Sequence, residues 1–184
     1  METNIRKSWV SPALSSTMKT NIKKSGVSRL KIVTISGAHA GVGKTMLAEK
    51  LLKRLKGWSG LKVTVMHNGG CPTGKNCGVC NELNSEFSIV SDKDKLMEKG
   101  KDTHRLINSG AQEVLWLRAK PEGLKKGLKK AISMFKGANG LIIEGTSILK
   151  YIKPDLAILV KNKGSILKPS AKEIVNKIDL IITA

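Results

Sequence analysis

Aromatic residues are scarce in this chain. Three Trp, two Phe and one Tyr make up 3% of it, so the core must be built from Leu, Ile and Val. Acids are scarce as well: 14 Asp and Glu stand against 33 Lys and Arg, a formal net charge of +19. A field of that sign attracts polyanions, whether nucleic acid, anionic lipid or phosphorylated ligands. Long apolar runs are missing. The run around "LAILV" falls far short of the roughly 18 residues of a membrane-crossing helix. The basic N-terminus is not followed by an apolar stretch of about 7–15 residues, so no secretory signal is read there. The expectation is a cytoplasmic protein with no membrane partner. Cysteines number only three, all between positions 71 and 80. An odd count in a cytoplasmic setting argues against a structural disulfide.

What is present suffices for one domain of ordinary size, since 40% of the 184 residues are apolar. Residues 1–29 stand apart: rich in Ser, Thr, Asn and Lys, with Glu2 as the one acid and little periodicity. They read as a flexible basic tail, and Met18 is an alternative start. From Leu30 onward, strands and helices alternate. "LKIVTI", "LKVTVM", "EVLWL", "LIIEG", "LAILV" and "DLIIT" read as strands. Between them, "KTMLAEKLLKRLKG" reads as a helix with Leu47, Leu51 and Leu55 in register, stopped by Gly57. "DTHRLINSG" reads as a short helix ending at Gly110, and "SAKEIVNK" as another. Residues 67–100 read as a long, polar, cysteine-bearing insertion. Apolar strands alternating with helices predict an α/β fold, with a mostly parallel sheet covered on both faces.

The basic charge has a plain explanation in one stretch. In "PEGLKKGLKKAISMFKG", Leu124, Leu128, Ile132 and Phe135 form one helical stripe, with Lys125, Lys126, Lys129 and Lys130 opposite. That is a surface helix packed by its apolar face. It lacks the interleaved aromatics on which single strands stack. Nucleic acid stays open as a partner from charge alone.

The chemistry-bearing stretch is "SGAHAGVGKTML", residues 36–47, placed between a strand and a helix. Backbone N–H groups of such a loop, together with the helix N-terminus, cradle phosphates. Lys44 would reach the β/γ-phosphates and Thr45 would offer its hydroxyl to Mg²⁺, giving these two the catalytic roles. Gly37, Ala40, Gly41, Val42 and Gly43 complete the nucleotide-binding set. The usual pattern places a glycine at position 38, where this chain has Ala38; Gly37 is one residue early.

"GAHAGVGKT" resembles the variant loops of the branch that holds dethiobiotin synthetases, cobyrinate amidases and molybdenum-cofactor GTP-binding proteins. His39 and Ala40 stand where some members carry a signature Lys and Gly, so the second lysine of those loops is absent. "GKDTHRLINSGA", residues 100–111, is similar to a signature of the molybdopterin-guanine dinucleotide biosynthesis protein B family. "LIIEG" and "VMH" fall in that family's order. The resemblance covers about residues 30–184. It implies a P-loop NTPase fold and a usually dimeric guanine-nucleotide-binding protein. Such a protein assists a molybdenum-cofactor guanylyltransferase or recipient enzyme. It further implies Glu144 as a magnesium ligand, direct or through water, and Asp102 and Arg105 as contacts to nucleotide or pterin phosphate. The plainer reading of Asp102 is a helix cap.

Base recognition has two weak candidates. "NKID", residues 176–179, matches a guanine-reading pattern but follows a predicted helix. Asn162 and Lys163 follow a strand but lack the Asp. Finally, "HNGGCPTGKNCGVC" spaces Cys71, Cys77 and Cys80 as C-x5-C-x2-C. With His67 they suit a zinc site; three thiolates also suit an iron–sulfur cluster. Redox-active or incidental thiols remain alternatives. Three roles stay open: GTP (or ATP) binding with slow hydrolysis in molybdenum-cofactor biosynthesis, as the resemblance implies; metallocentre or iron–sulfur maturation, from the cysteines; and nucleic-acid binding, from the charge alone.

Overall fold

The computed structural model describes residues 29–66 and 83–183. Six strands run parallel: β1 (Lys31–Gly37), β2 (Trp58–Val65), β4 (Val114–Ala119), β5 (Gly140–Glu144), β6 (Leu156–Lys161) and β7 (Leu180–Thr183). A seventh, β3 (Phe87–Val90), is antiparallel to β4 at one edge. The order across the sheet is β3-β4-β2-β5-β1-β6-β7. The connections carry α1 (Lys44–Arg54), α2 (Lys93–Leu96), α3 (Asp102–Asn108), α4 (Leu124–Met134) and α5 (Pro169–Lys172).

The apolar strands predicted helices on both faces, and two cores result. On one face Leu124, Leu128, Ala131 and Phe135 cover Leu61, Val63, Leu115, Leu117, Leu141 and Ile143. On the other, Ala48 and Leu52 of α1 and Leu106 of α3 cover Ile35, Ile142 and Val160. Strand side chains alternate between faces. In β5, Leu141 and Ile143 therefore join the first core, while Ile142 joins the second. Glu144 follows Ile142 onto the α1–α3 face, and Lys62 does the same between Leu61 and Val63. That alternation carries charged groups into a buried site.

Four expectations need adjusting. The deepest line of α1 is Thr45, Ala48 and Leu52; Leu47, Leu51 and Leu55 pack beside it, half-buried. The predicted 67–100 insertion is structured in its second half. There β3 pairs with β4, and Asp92 caps α2 by accepting from the Lys95 N–H at 3.0 Å. The predicted "SAKEIVNK" helix splits into α5 and a 3-10 turn, Val175–Lys177. Asp102 is the first residue of α3 rather than its cap, which is Lys101, and its carboxylate faces α1 instead. The tail through residue 28 lies outside the described residues, as do His67, Cys71, Cys77 and Cys80. Among the described residues, no helix is long and apolar enough to cross a membrane.

Candidate functional site

The glycine loop leaves the C-terminal end of β1, an interior strand between β5 and β6. Its root is stitched to β6 and to the segment that follows it. Ala38 N–H donates to Val160 O at 2.9 Å, and Ala38 O accepts from Lys168 N–H at 2.8 Å. Ala38 is fully buried, so position 38 continues the sheet and a small apolar residue suits it. Gly37 sits where space is short: a Cβ there would lie 2.8 Å from Val42 Cγ1 and 2.9 Å from Lys44 Cδ. The early glycine thus lets Lys44 fold back over the end of the strand. Val42 roots the loop in the α1-side core. Gly41 and Gly43 have φ of 73° and 97°, the left-handed region that favours glycine.

Helix α1 begins at Lys44 with no side-chain cap and no acid in its first turn. Its N–H groups and the positive end of its dipole therefore remain available to an anion at the loop. Beside this helix end lies a cluster that joins four elements, α1, β2, α3 and β5. Thr45 Oγ1 is 2.9 Å from Glu144 Oε2 and 3.0 Å from Asp102 Oδ1. Lys62 Nζ donates to Glu144 Oε1 at 2.7 Å and also to Asp102. Glu144 is 2% exposed and the Lys62 side chain 17%. Arg105 forks onto Glu49 of α1, with Nε to Oε1 at 3.0 Å and Nη2 to Oε2 at 2.7 Å. This pair ties α3 to α1, and so sets the approach of Asp102.

The electrostatics follow from the geometry. Burial opposes the Lys62 charge, but Glu144 and Asp102 outweigh it and hold the ammonium above its ordinary range. Burial likewise opposes the Asp102 charge; Lys62 and the Thr45 hydroxyl outweigh it, and the carboxyl sits below its ordinary range. Lys44 goes the other way: burial lowers it, Lys62 adds to the lowering, and Glu144 and Asp102 offset only part. Lys168 is lowered by burial, then by Lys44 and Lys62. Hydrogen bonds to Glu49 raise Arg105. Lys62 and Lys44 thus meet the charges of two carboxylates, while Lys168 meets only the like charges of Lys44 and Lys62.

Two cavities lie at this site, one beside Lys62 and Asp102 and one beside the loop. One of about 270 Å³ is lined by Lys62, Thr64, Lys101, Asp102 and Trp116. Its Trp116 Nε1–H donates to Thr64 Oγ1 at 2.9 Å, and Lys101 Nζ stands 5.4 Å from the ring centre. The other, of about 730 Å³, is bounded by His39, Ala40, Val65, Leu124, Tyr151 and Lys168.

The structure brings Gly37, Ala40, Gly41, Val42, Gly43, Lys44, Thr45, Glu144 and Asp102 to one sheet edge. Arg105 stands beside them with its fork on Glu49. Asn162 and Lys163 follow β6 at this same edge. "NKID" does not reach it. Asp179 precedes β7, where its carboxylate accepts from Ala157 N–H at 2.7 Å. Asn176 and Lys177 line a cavity of about 490 Å³ at the opposite, N-terminal edge, so a nucleotide on the loop is out of their reach. The reading of the sequence missed Lys62 and Lys168. Lys62 had a signal: a lysine between Leu61 and Val63 in a central strand must be buried, and needs acids opposite. Lys168 had none beyond its place ahead of Pro169. No protein-family model matches the chain, and neither a curated protein nor a solved structure does.

Proposed function

We propose that the chain is a P-loop NTPase that binds a nucleoside triphosphate with magnesium at residues 37–45. The observation that carries this reading is the meeting of Thr45, Asp102 and Glu144 oxygens beside an uncapped helix N-terminus behind a glycine loop. Loop N–H groups and Lys44 hold the β- and γ-phosphates. The donor set fits magnesium, which favours hard oxygens: one hydroxyl and two carboxylates, held by α1, α3 and β5. When bound, the ion would neutralise charge on the phosphate oxygens. Positioning and charge stabilisation then dominate the chemistry. No side chain at the edge stands out as a base for water, so hydrolysis is slow.

The base is guanine on the family resemblance, with the molybdopterin-guanine dinucleotide pathway as setting and a homodimer as assembly. The partner is a guanylyltransferase or a recipient enzyme. Titration with fluorescently labelled GTP and ATP, with and without magnesium, tests this. Magnesium-dependent binding that prefers GTP supports the reading; no binding of either nucleotide contradicts it.

A second reading rests on the C-x5-C-x2-C spacing of Cys71, Cys77 and Cys80. Thiolates this close in sequence repel unless a cation or a proton neutralises them, and in chain order they follow strand β2. In that reading the NTPase acts in metallocentre or iron–sulfur maturation. Elemental analysis of anaerobically purified protein separates the two readings.

A further inference from the structure

Resting on the nucleotide reading, we infer that Lys168 is a second phosphate-gripping lysine of the loop, delivered by the same chain. The loop itself offers only Lys44, because His39 and Ala40 stand where a second amine would sit. Lys168 follows β6, the strand next to β1, and its backbone is clamped to the loop. Its N–H donates to Ala38 O at 2.8 Å. Its C=O accepts from Ala171 and Lys172 N–H in the first turn of α5 at 2.9 and 3.1 Å. Pro169 follows at the start of the helix. A residue before proline is confined to extended backbone, and Lys168 is extended, with φ −61° and ψ 157°. The position is therefore set before any ligand arrives.

The side chain lines the cavity of about 730 Å³ that His39 and Ala40 of the loop also bound. The acid of that cavity, Glu173, pairs with Lys150 instead. Among the described residues, no carboxylate pairs with the Lys168 ammonium. The amine feels the charges of Lys44 and Lys62 and is held below its ordinary range. A half-buried ammonium beside two others is unfavourable by itself. A polyanion at the loop would relieve all three. The ligand class is an oligophosphate, and the terminal phosphates are the part gripped.

The experiment compares wild type, Lys44→Ala, Lys168→Met and Lys168→Arg in calorimetric titrations with tripolyphosphate and with magnesium GTP. Lys168→Met should lose about tenfold or more in affinity for both, and Lys168→Arg should recover most of it. Both variants keep the N–H that bonds Ala38. In nucleotide-free protein, Lys168→Met should melt no lower than wild type, because the unpaired ammonium is gone. Unchanged affinity in Lys168→Met, with binding lost in Lys44→Ala, overturns this inference and leaves the loop reading standing. Affinity and melting temperature falling together in both Lys168 variants also overturn it, since the residue is then structural. A wild type that binds neither ligand overturns the loop reading and this inference together.

Discussion

Lys62 and Glu144 are direct neighbours across the sheet: the register of β2 and β5 sets them opposite each other, and Lys62 Nζ donates to Glu144 Oε1 at 2.7 Å. Both sit at the C-terminal edge, where ligands gather in open parallel sheets. Breaking a mostly buried ion pair from one side leaves an uncompensated charge. Lys62→Met should therefore destabilise the fold by about 3 kcal/mol. Thermal unfolding reads this as a loss of roughly 6–12 °C. Magnesium should restore part of the loss, because the ion and the ammonium compete for the same oxygens. A melting temperature unchanged from wild type would mean that the pair is not a buried cluster.

Glu144→Gln keeps the shape and removes the charge. In this variant magnesium should tighten GTP binding less than in wild type, by about tenfold, or 1.4 kcal/mol. Fluorescence titration with and without magnesium measures the difference. An equal magnesium effect in both proteins would remove Glu144 from the metal site.

Gly37→Ala tests why the early glycine is there. The added methyl meets Val42 Cγ1 at 2.8 Å and Lys44 Cδ at 2.9 Å, so Lys44 must shift. Triphosphate affinity should fall at least about tenfold. Ala38→Gly should keep binding within about threefold of wild type, because that position serves only the sheet stitch. The opposite ranking in parallel titrations would show that the usual spacing, and not this variant, governs the loop.

Proton linkage gives an independent check. The lowered Lys44 and Lys168 bind fewer protons in the fold than in the unfolded chain. They therefore add stability as pH rises through the window between their lowered values and the ordinary 10.5. Lys62 has the opposite sign: its stabilisation is full below 10.5 and is lost as pH rises through its raised folded value. Asp102 stabilises above its ordinary value of 3.8, and this is lost as pH falls through its lowered one. Phosphate binding should recharge Lys44 and Lys168. Calorimetry in buffers of different ionisation enthalpy should show proton uptake that is larger toward pH 10.5 than at neutral pH. Uptake equal at both would mean that the two amines do not face the anion.

The six parallel strands were legible because Ile, Leu and Val runs between helical patterns admit few other folds. The loop was legible because glycines, Lys44 and Thr45 are contiguous. Glu144 came from the resemblance of "LIIEG" to a family strand end. Residues that meet across elements were harder. Lys62 faces the site because alternation sends it opposite to Leu61 and Val63, and its partners are 40 and 82 residues away. Lys168 depends on a single backbone bond to Ala38, which no local pattern records. Edge strand β3 was hidden because "FSIV" is short and lies behind a polar stretch.

Isothermal titration of wild type and Lys44→Ala with magnesium GTP and magnesium ATP decides whether residues 37–45 hold the phosphates of a nucleoside triphosphate. Wild type should bind saturably and Lys44→Ala should lose binding, with both proteins equally folded by circular dichroism. Equal affinity in the two proteins, or no heat of binding in wild type, would contradict phosphate binding at these residues.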